Sequence, residues 1–307
     1  MSISNALQQV LQQEIHKRSL PDNFMHTVLH WYLPVAEQIM LAKKNTQQTL
    51  LVSFNGSQGS GKSTITAFLR LILIHQFEFN TVEVSIDDFY LTHHDRQQLA
   101  KNIHPLFATR GVPGTHDIQL AVNTINCLRS CTQQSPCAVP QFDKAIDDRK
   151  PEAQWPLVNE PVDVILFEGW CNHAPLSTAA QLEQPVNDLE RNEDAEGIWR
   201  SYSNRQLAEY HRLLFDRAEL LIHLKVPSFE KVYEWRGLQE KKLEKDAGVD
   251  NHAVMNEQQL QRFIQHYERI TRLCLQQLPE LADIVLTLND QHAIESILLK
   301  SSECENV

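Results

Sequence analysis

Nine residues carry the clearest chemistry in the chain: Gly56, Ser57, Gln58, Gly59, Ser60, Gly61, Lys62, Ser63 and Thr64. They follow the apolar run Leu50–Phe54 and precede a stretch, Ile65–Leu73, with apolar residues at helical spacing. Strand, glycine turn and helix in that order form a phosphate-binding loop. Glycines let backbone N–H groups approach an oxyanion without Cβ interference, and the new helix adds its unpaired N–H groups and positive dipole end. Lys62 is expected to reach the β- and γ-phosphates of ATP, and Ser63 to ligate Mg2+. A chance glycine turn is the competing reading, and the correct flanks on both sides disfavour it.

Two further strand ends supply carboxylates. Thr81–Ile86 reads as a second strand, ending in Asp87-Asp88-Phe89-Tyr90. Val162–Phe167 reads as a third, ending in Glu168-Gly169-Trp170, an apolar run closed by an acid as in a Walker B segment. In open α/β sheets, functional residues gather beyond the carboxyl ends of the strands, so both sites should share a rim with the phosphate loop. Asp87 is then placed to accept a proton from an acceptor hydroxyl, and Glu168 to orient the metal or its waters. An aspartate at a strand end often only caps a turn, and one of the pair Asp87 and Asp88 is expected to do so.

Positive charge recurs around these acids. Arg110 lies in a bent Gly- and Pro-containing loop, Lys144 and Arg149 in a mixed-charge segment, and all three could bind an acidic acceptor. Arg236 sits in a basic helix after the expected fourth strand Leu220–Val226, together with Lys241, Lys242 and Lys245. A guanidinium can bridge two phosphates, so Arg236 is the choice for neutralising the leaving group. A solvated helix face is the bland alternative for the lysines.

The elements that must position these groups follow from periodicity. Residues 1–45 read as two amphipathic helices, the second capped by Asp22. Thr115 or Asp117 should cap a helix over 118–128, and 183–196 reads as an acidic surface segment. A helix over Trp199–Phe215 follows. Gly248 breaks the chain; Asn256 caps a long helix to Leu278; Ala282–Leu288 is a fifth strand, and 291–299 a closing helix. The 307 residues carry a formal net charge of −11, which argues against nucleic acid or an anionic membrane as the main partner, since both select clustered Lys and Arg. Of the six cysteines none forms a C-x-x-C pair, and reduced structural thiols fit better than a zinc site at Cys127, Cys131 and Cys137. With no signal pattern and no apolar run of membrane-spanning length, a cytoplasmic protein is expected, a monomer or homodimer acting on a small molecule.

With the phosphate loop and Glu168-Gly169, the segment Ser85-Ile86-Asp87-Asp88-Phe89-Tyr90 resembles the uridine kinase, phosphoribulokinase and pantothenate kinase group, whose catalytic base maps to Asp87. The chain is more similar still to the D-glycerate 3-kinase family. The residues that carry this are Asp87–Thr92, Arg110-Gly111, Gly114–Asp117, Val139-Pro140, Asp143-Lys144, Asp148-Arg149, Trp155-Pro156, Phe167–Trp170 and Trp235-Arg236 with Gln239-Glu240. The resemblance implies an α/β fold with a doubly wound parallel five-stranded sheet in the order 2-3-1-4-5 and helices on both faces. It implies a kinase domain over 46–307 with a lid helix at about 228–246, after a helical extension over 1–45. It also implies acceptor-side residues at Asp88, Tyr90, Arg110, His116, Asp143, Lys144 and Arg149, and D-glycerate as the first acceptor. Where the family usually has Tyr-Asp-Lys-Ser, this chain has Phe142-Asp143-Lys144-Ala145, and the following loop is shorter. A nucleoside or pantothenate-like acceptor, and a nucleotide-binding regulatory ATPase, are the alternatives left open.

Overall fold

A computed structural model describes residues 3–247 and 255–300. Its centre is a six-stranded sheet: β1 Leu50–Gly56, β2 Thr81–Ser85, β3 Val164–Gly169, β4 Leu220–Lys225, β5 Ile284–Leu288 and β6 Ile294–Leu299. They lie in the order β2-β3-β1-β4-β5-β6. The first five are mutually parallel and β6 is antiparallel to β5. The inner strands β1, β3, β4 and β5 read as near-continuous apolar runs because both faces are covered. Along each strand, successive side chains alternate between two cores. Leu51, Ile165, Phe167, Leu221 and Val285 enter one, beneath the helices Ile118–Ser130, Ile198–Leu213 and Glu268–Leu281. Leu50, Val52, Phe54, Val164, Leu166, Ile222 and Leu286 enter the other, beneath the helix Lys62–Phe77.

The N-terminal helices cover the far side of Lys62–Phe77. Leu7, Leu11 and Ile15 of the helix Asn5–Lys17 and Val28, Leu33, Ala36 and Ile39 of the next share a core with Phe68, Leu69, Ile72 and Leu73. The second apolar stripe is helical but interrupted: Phe24–Thr27 and Leu33–Lys44 are joined by a π turn, Val28–Tyr32, in which the Leu33 N–H reaches the Val28 carbonyl. Pro34 follows directly and has no N–H to give the preceding turn, a common setting for such a bulge. Asn23, not Asp22, holds the N-cap position, without a side-chain bond.

Several expectations are corrected. Residues 294–299 form an edge strand where a helix was expected. The pattern Ile294…Ile297 looks helical, but a bulge between Ile294 and Ser296 lets both residues pack against the core from a strand. The helix from Asn256 stops at Gln265 and restarts at Glu268. Asn256 caps the first piece reciprocally with Gln259. Between Thr115 and Asp117 the cap is Asp117, whose carboxylate accepts from the Leu120 N–H. The expected break at Gly248 lies outside the described residues, as do Cys304 and the side chains of Gln239, Glu240, Lys241, Lys242 and Lys245. Among the described residues no helix is long and apolar enough to cross a membrane.

The segment 183–196 is not a simple surface stretch. Glu190 and Asp194 are both buried, at 1 % and 2 % exposure. Arg269 makes a forked pair with Glu190, Nε to Oε1 at 2.8 Å and Nη2 to Oε2 at 2.5 Å, while Arg200 Nη1 lies 2.9 Å from Asp194 Oδ2. Removing one member of such a buried pair strands the other charge. The Arg269→Met variant should therefore lose about 3–5 kcal/mol of unfolding free energy, read by urea denaturation.

Candidate active site

The phosphate loop leaves β1 at the middle of the sheet. Gly59 and Gly61 adopt positive φ values of 78° and 92°, which glycine takes without strain. A Cβ on Gly59 would also lie 3.2 Å from Trp235 Cβ, so the loop is closed on its outer side by the helix Phe229–Ala247. His292, on the β5–β6 hairpin, adds a second contact: its Nε2 donates to the Gly59 carbonyl at 2.6 Å and its ring meets Trp235 edge-on.

Lys62 Nζ donates to the Ser57 carbonyl at 3.0 Å, curling back over its own loop. Burial lowers its pKa, against the pull of Glu168 and Asp87. Ser57 Oγ and Ser60 Oγ are buried with no protein partner. Ser63 Oγ donates to Glu168 Oε1 at 3.2 Å. A hydroxyl and a carboxylate converging beside a phosphate loop are hard oxygen donors of the kind Mg2+ takes, so the residues present fit that ion.

The carboxyl ends of β1, β2 and β3 are held level by their pairing, Phe54 with Glu168 and Ser85 with Glu168. On the 3-10 turn Ile86–Phe89 that directly follows β2, Asp87 enters a cavity of about 500 Å3 that also exposes Gln58, Gly59, Lys62, Ser63, Tyr90, Arg110, Lys144, Glu168 and Arg236. Lys144 Nζ lies 2.6 Å from Asp87 Oδ2, and the Tyr90 hydroxyl donates to Asp87 Oδ1 at 2.8 Å. Burial pushes the Asp87 carboxyl up, but Lys144 and the two hydrogen bonds outweigh it and hold the group down at about 2. Lys144 is raised in turn, chiefly by Asp87.

Other sequence candidates fall outside the cavity, and the short hairpin Phe142–Asp143 with Asp148–Arg149 explains most of them. Along extended backbone, side chains alternate. Phe142 meets Tyr90 edge-on and lies under Arg110, and Lys144 reaches the same side. Asp143 between them turns away and accepts from the Ala145 N–H. Arg149 is a brace rather than a ligand group: it donates to the Tyr90 carbonyl at 2.9 Å and faces Asp117 at 3.4 Å. His116 stacks behind Tyr90 at 4.6 Å, and burial lowers it to about 4. Asp88 points to the opposite side, where its Oδ1 accepts from the Phe142 N–H and so anchors the hairpin that carries Lys144. Burial raises Asp88 to about 6. Arg110 pairs with Asp147, which also holds the buried Arg96.

The far wall is aromatic and was missed in the sequence. Trp170, Phe263 and Tyr267 line the cavity. Trp170 Nε1 donates to the Gly111 carbonyl at 2.9 Å and the Tyr267 hydroxyl to the Arg110 carbonyl at 3.1 Å. Phe263 and Tyr267, four residues apart at a helix junction, read as ordinary core positions in one dimension. Trp170 stands two positions after Glu168, and that proximity was the available signal.

A central parallel sheet, a phosphate loop after its first strand and acids at the next two strand ends together define a P-loop kinase. No family model matches the sequence. The chain is 32 % identical over 225 residues to the uncharacterized kinase mug58 of Schizosaccharomyces pombe, covering 71 % of this chain and 78 % of that protein. It is 30 % identical over 261 residues to the chloroplastic D-glycerate 3-kinase of Arabidopsis thaliana, covering 78 % of this chain but 52 % of that protein. The fold superimposes on a solved D-glycerate 3-kinase of Cryptococcus neoformans with a TM-score of 0.71 at 22 % identity, over 87 % of this chain and 98 % of that one. The chain belongs to the same family of P-loop kinases as the Schizosaccharomyces pombe protein.

Two variants test the geometry. Gly111 has φ 141°, and a Cβ there would lie 2.1 Å from the Tyr267 hydroxyl oxygen. Gly111→Ala should displace Tyr267 from the wall and weaken both stability and turnover, measured by thermal melting and initial rates. For Asp88 the sign runs the other way from a stabilising salt bridge. Its folded pKa is raised, so its contribution is fully present below the unfolded value of about 4 and is lost as pH rises through about 6. Asp88→Asn, which keeps an acceptor oxygen for Phe142, should raise unfolding free energy at pH 8 by up to ~3 kcal/mol and change little at pH 4.

Proposed function

We propose that this kinase transfers the terminal phosphoryl group of ATP to a hydroxyl of a small acidic metabolite, with D-glycerate the first candidate. The observation that carries the reading is the meeting, in one cavity, of the phosphate-loop Lys62 with Asp87 and with the cations Arg110 and Lys144. Phosphoryl transfer needs positioning and positive charge more than covalent help. The loop Gly56–Thr64 would cradle the triphosphate, and Lys62 would leave the Ser57 carbonyl for the β- and γ-phosphates. Mg2+ bound at Ser63 and Glu168 would supply positive charge to the phosphate oxygens. Arg236, at the cavity edge on the helix Phe229–Ala247, would neutralise the leaving diphosphate, that helix acting as a lid.

Asp87 would take the proton from the acceptor hydroxyl as its oxygen bonds the γ-phosphorus. The bond from that phosphorus to the β–γ bridging oxygen breaks, and ADP leaves with the electron pair. Arg110 and Lys144 would bind the acceptor's acidic group. We place the kinase domain from residue 46 onward, with 1–45 as an added helical layer. The D-glycerate 3-kinase relative supports the choice of acceptor. The aromatic wall of Trp170, Phe263 and Tyr267 favours a second reading, a bulkier acceptor such as a nucleoside or pantothenate-like compound.

With D-glycerate in an ADP-release assay, Asp87→Asn should lower turnover by about 10²- to 10⁴-fold while ATP affinity is kept. Unchanged turnover in that variant would remove Asp87 from the role of base. A panel of hydroxylated acids, nucleosides and pantothenate, assayed the same way, decides between the two acceptor classes.

A further inference from the structure

We infer that Lys144 is a latch on Asp87 which an anionic acceptor opens: the acceptor's carboxylate takes over Lys144 and thereby frees Asp87 to accept the hydroxyl proton. The inference rests on the reading of Asp87 as the acceptor-side base. In the described structure both oxygens of Asp87 are engaged, one by Lys144 at 2.6 Å and the other by the Tyr90 hydroxyl at 2.8 Å. The two contacts differ in kind. Tyr90 is 3 % exposed and fixed between His116 and Phe142, so its hydroxyl cannot withdraw. Lys144 is a flexible side chain, 59 % exposed, at the tip of the Phe142–Arg149 hairpin. It is the partner that can move.

The other groups facing Asp87 do not replace it. Lys62 comes from the phosphate-loop helix and is needed by the triphosphate. His116 lies behind Tyr90 and, as a buried ring lowered to about 4, is neutral near pH 7. Tyr267 and Cys171 are uncharged there, burial raising both, and Asp88 next in sequence is itself an acid turned toward Phe142. Latched, Asp87 is held at about 2 and is a poor proton acceptor. A carboxylate-bearing acceptor exchanges one ion pair for another, so Lys144 is never left without a counter-ion. Arg110, lining the same cavity though paired on its far side with Asp147, favours the move by repelling Lys144 and attracting the incoming anion. Water and uncharged alcohols offer no such exchange and meet a capped base. The device therefore selects anionic acceptors and restrains hydrolysis of the nucleotide by water, in which a water oxygen would bond the γ-phosphorus, ADP would leave and the proton would pass to Asp87.

The test uses ATP hydrolysis without any phosphorylatable acceptor, so it does not depend on glycerate. Wild type should hydrolyse slowly, and Lys144→Met faster by roughly tenfold, a fraction of what full general-base assistance provides. Propionate, a carboxylate without a hydroxyl, should accelerate wild type and leave Lys144→Met unchanged. The double variant Asp87→Asn/Lys144→Met should lose the gain. Hydrolysis in Lys144→Met at or below the wild-type rate, a wild type indifferent to propionate, or a double variant as fast as Lys144→Met would each overturn the latch. Lys144→Gln, assayed beside it with a melting curve, separates these outcomes from misfolding. If hydrolysis rises as expected while D-glycerate is not phosphorylated, the latch stands and glycerate as acceptor falls.

Discussion

The site depends on the register of three parallel strands. Glu168 sits opposite both Phe54 and Ser85, so the chain leaves β1, β2 and β3 at one level. Phosphate loop, Asp87 turn and Glu168 then open on the same rim, and no long-range motion is needed to assemble them. Because parallel pairing fixes every residue of a strand at once, a slip of one position would invert the side chains and send Glu168 into a core. The buried Asn55 reinforces the alignment at the strand end, donating to the Trp170 and Asn172 carbonyls at 3.2 and 2.7 Å and facing His223 Nδ1 at 3.1 Å. It ties the exits of β1 and β3 together just below the cavity.

Around that rim the adjacent acids divide their work. Asp87 faces the cavity and holds Lys144; Asp88 faces away and holds the backbone of the hairpin on which Lys144 is carried. The same short 3-10 turn thus supplies the reactive carboxylate and the anchor for its partner. Opposing pKa shifts at neighbouring positions reflect this: burial pushes both carboxyls up, and only at Asp87 do Lys144 and the two hydrogen bonds together outweigh it. The separation of environments lets two identical side chains behave differently at one pH.

The cavity is enclosed by distant pieces of chain. Trp170 follows β3, Phe263 and Tyr267 come from a helix junction nearly 100 positions later, and His292 reaches back from the terminal hairpin to the Gly59 carbonyl. The helix that follows Tyr267, Glu268–Leu281, is itself held by a buried ion pair, Arg269 with Glu190. An acidic segment that looked solvated is therefore part of the support for the aromatic wall.

Local order along the chain was enough to recover the phosphate loop, the strand-end acids and the alternation of apolar strands with amphipathic helices, because each is a short-range pattern: a glycine spacing, an apolar run closed by an acid, a period of 3.6. Where those patterns were ambiguous, the reading failed for a physical reason. Ile294 and Ile297 share a face on a helix or on a bulged strand, and only pairing with β5 selects the strand. Asp88 and Asp143 lie beside the cavity residues Asp87 and Lys144 in sequence, yet the turn and the pleating rotate them toward backbone N–H groups, while Arg149 braces the Tyr90 carbonyl and His116 meets the Tyr210 hydroxyl. The partners of Glu190 and of Asp87 are 79 and 57 positions away, and no period encodes such distances. Residue type fixed what chemistry the rim can do; packing of remote segments decided which side chains reach it.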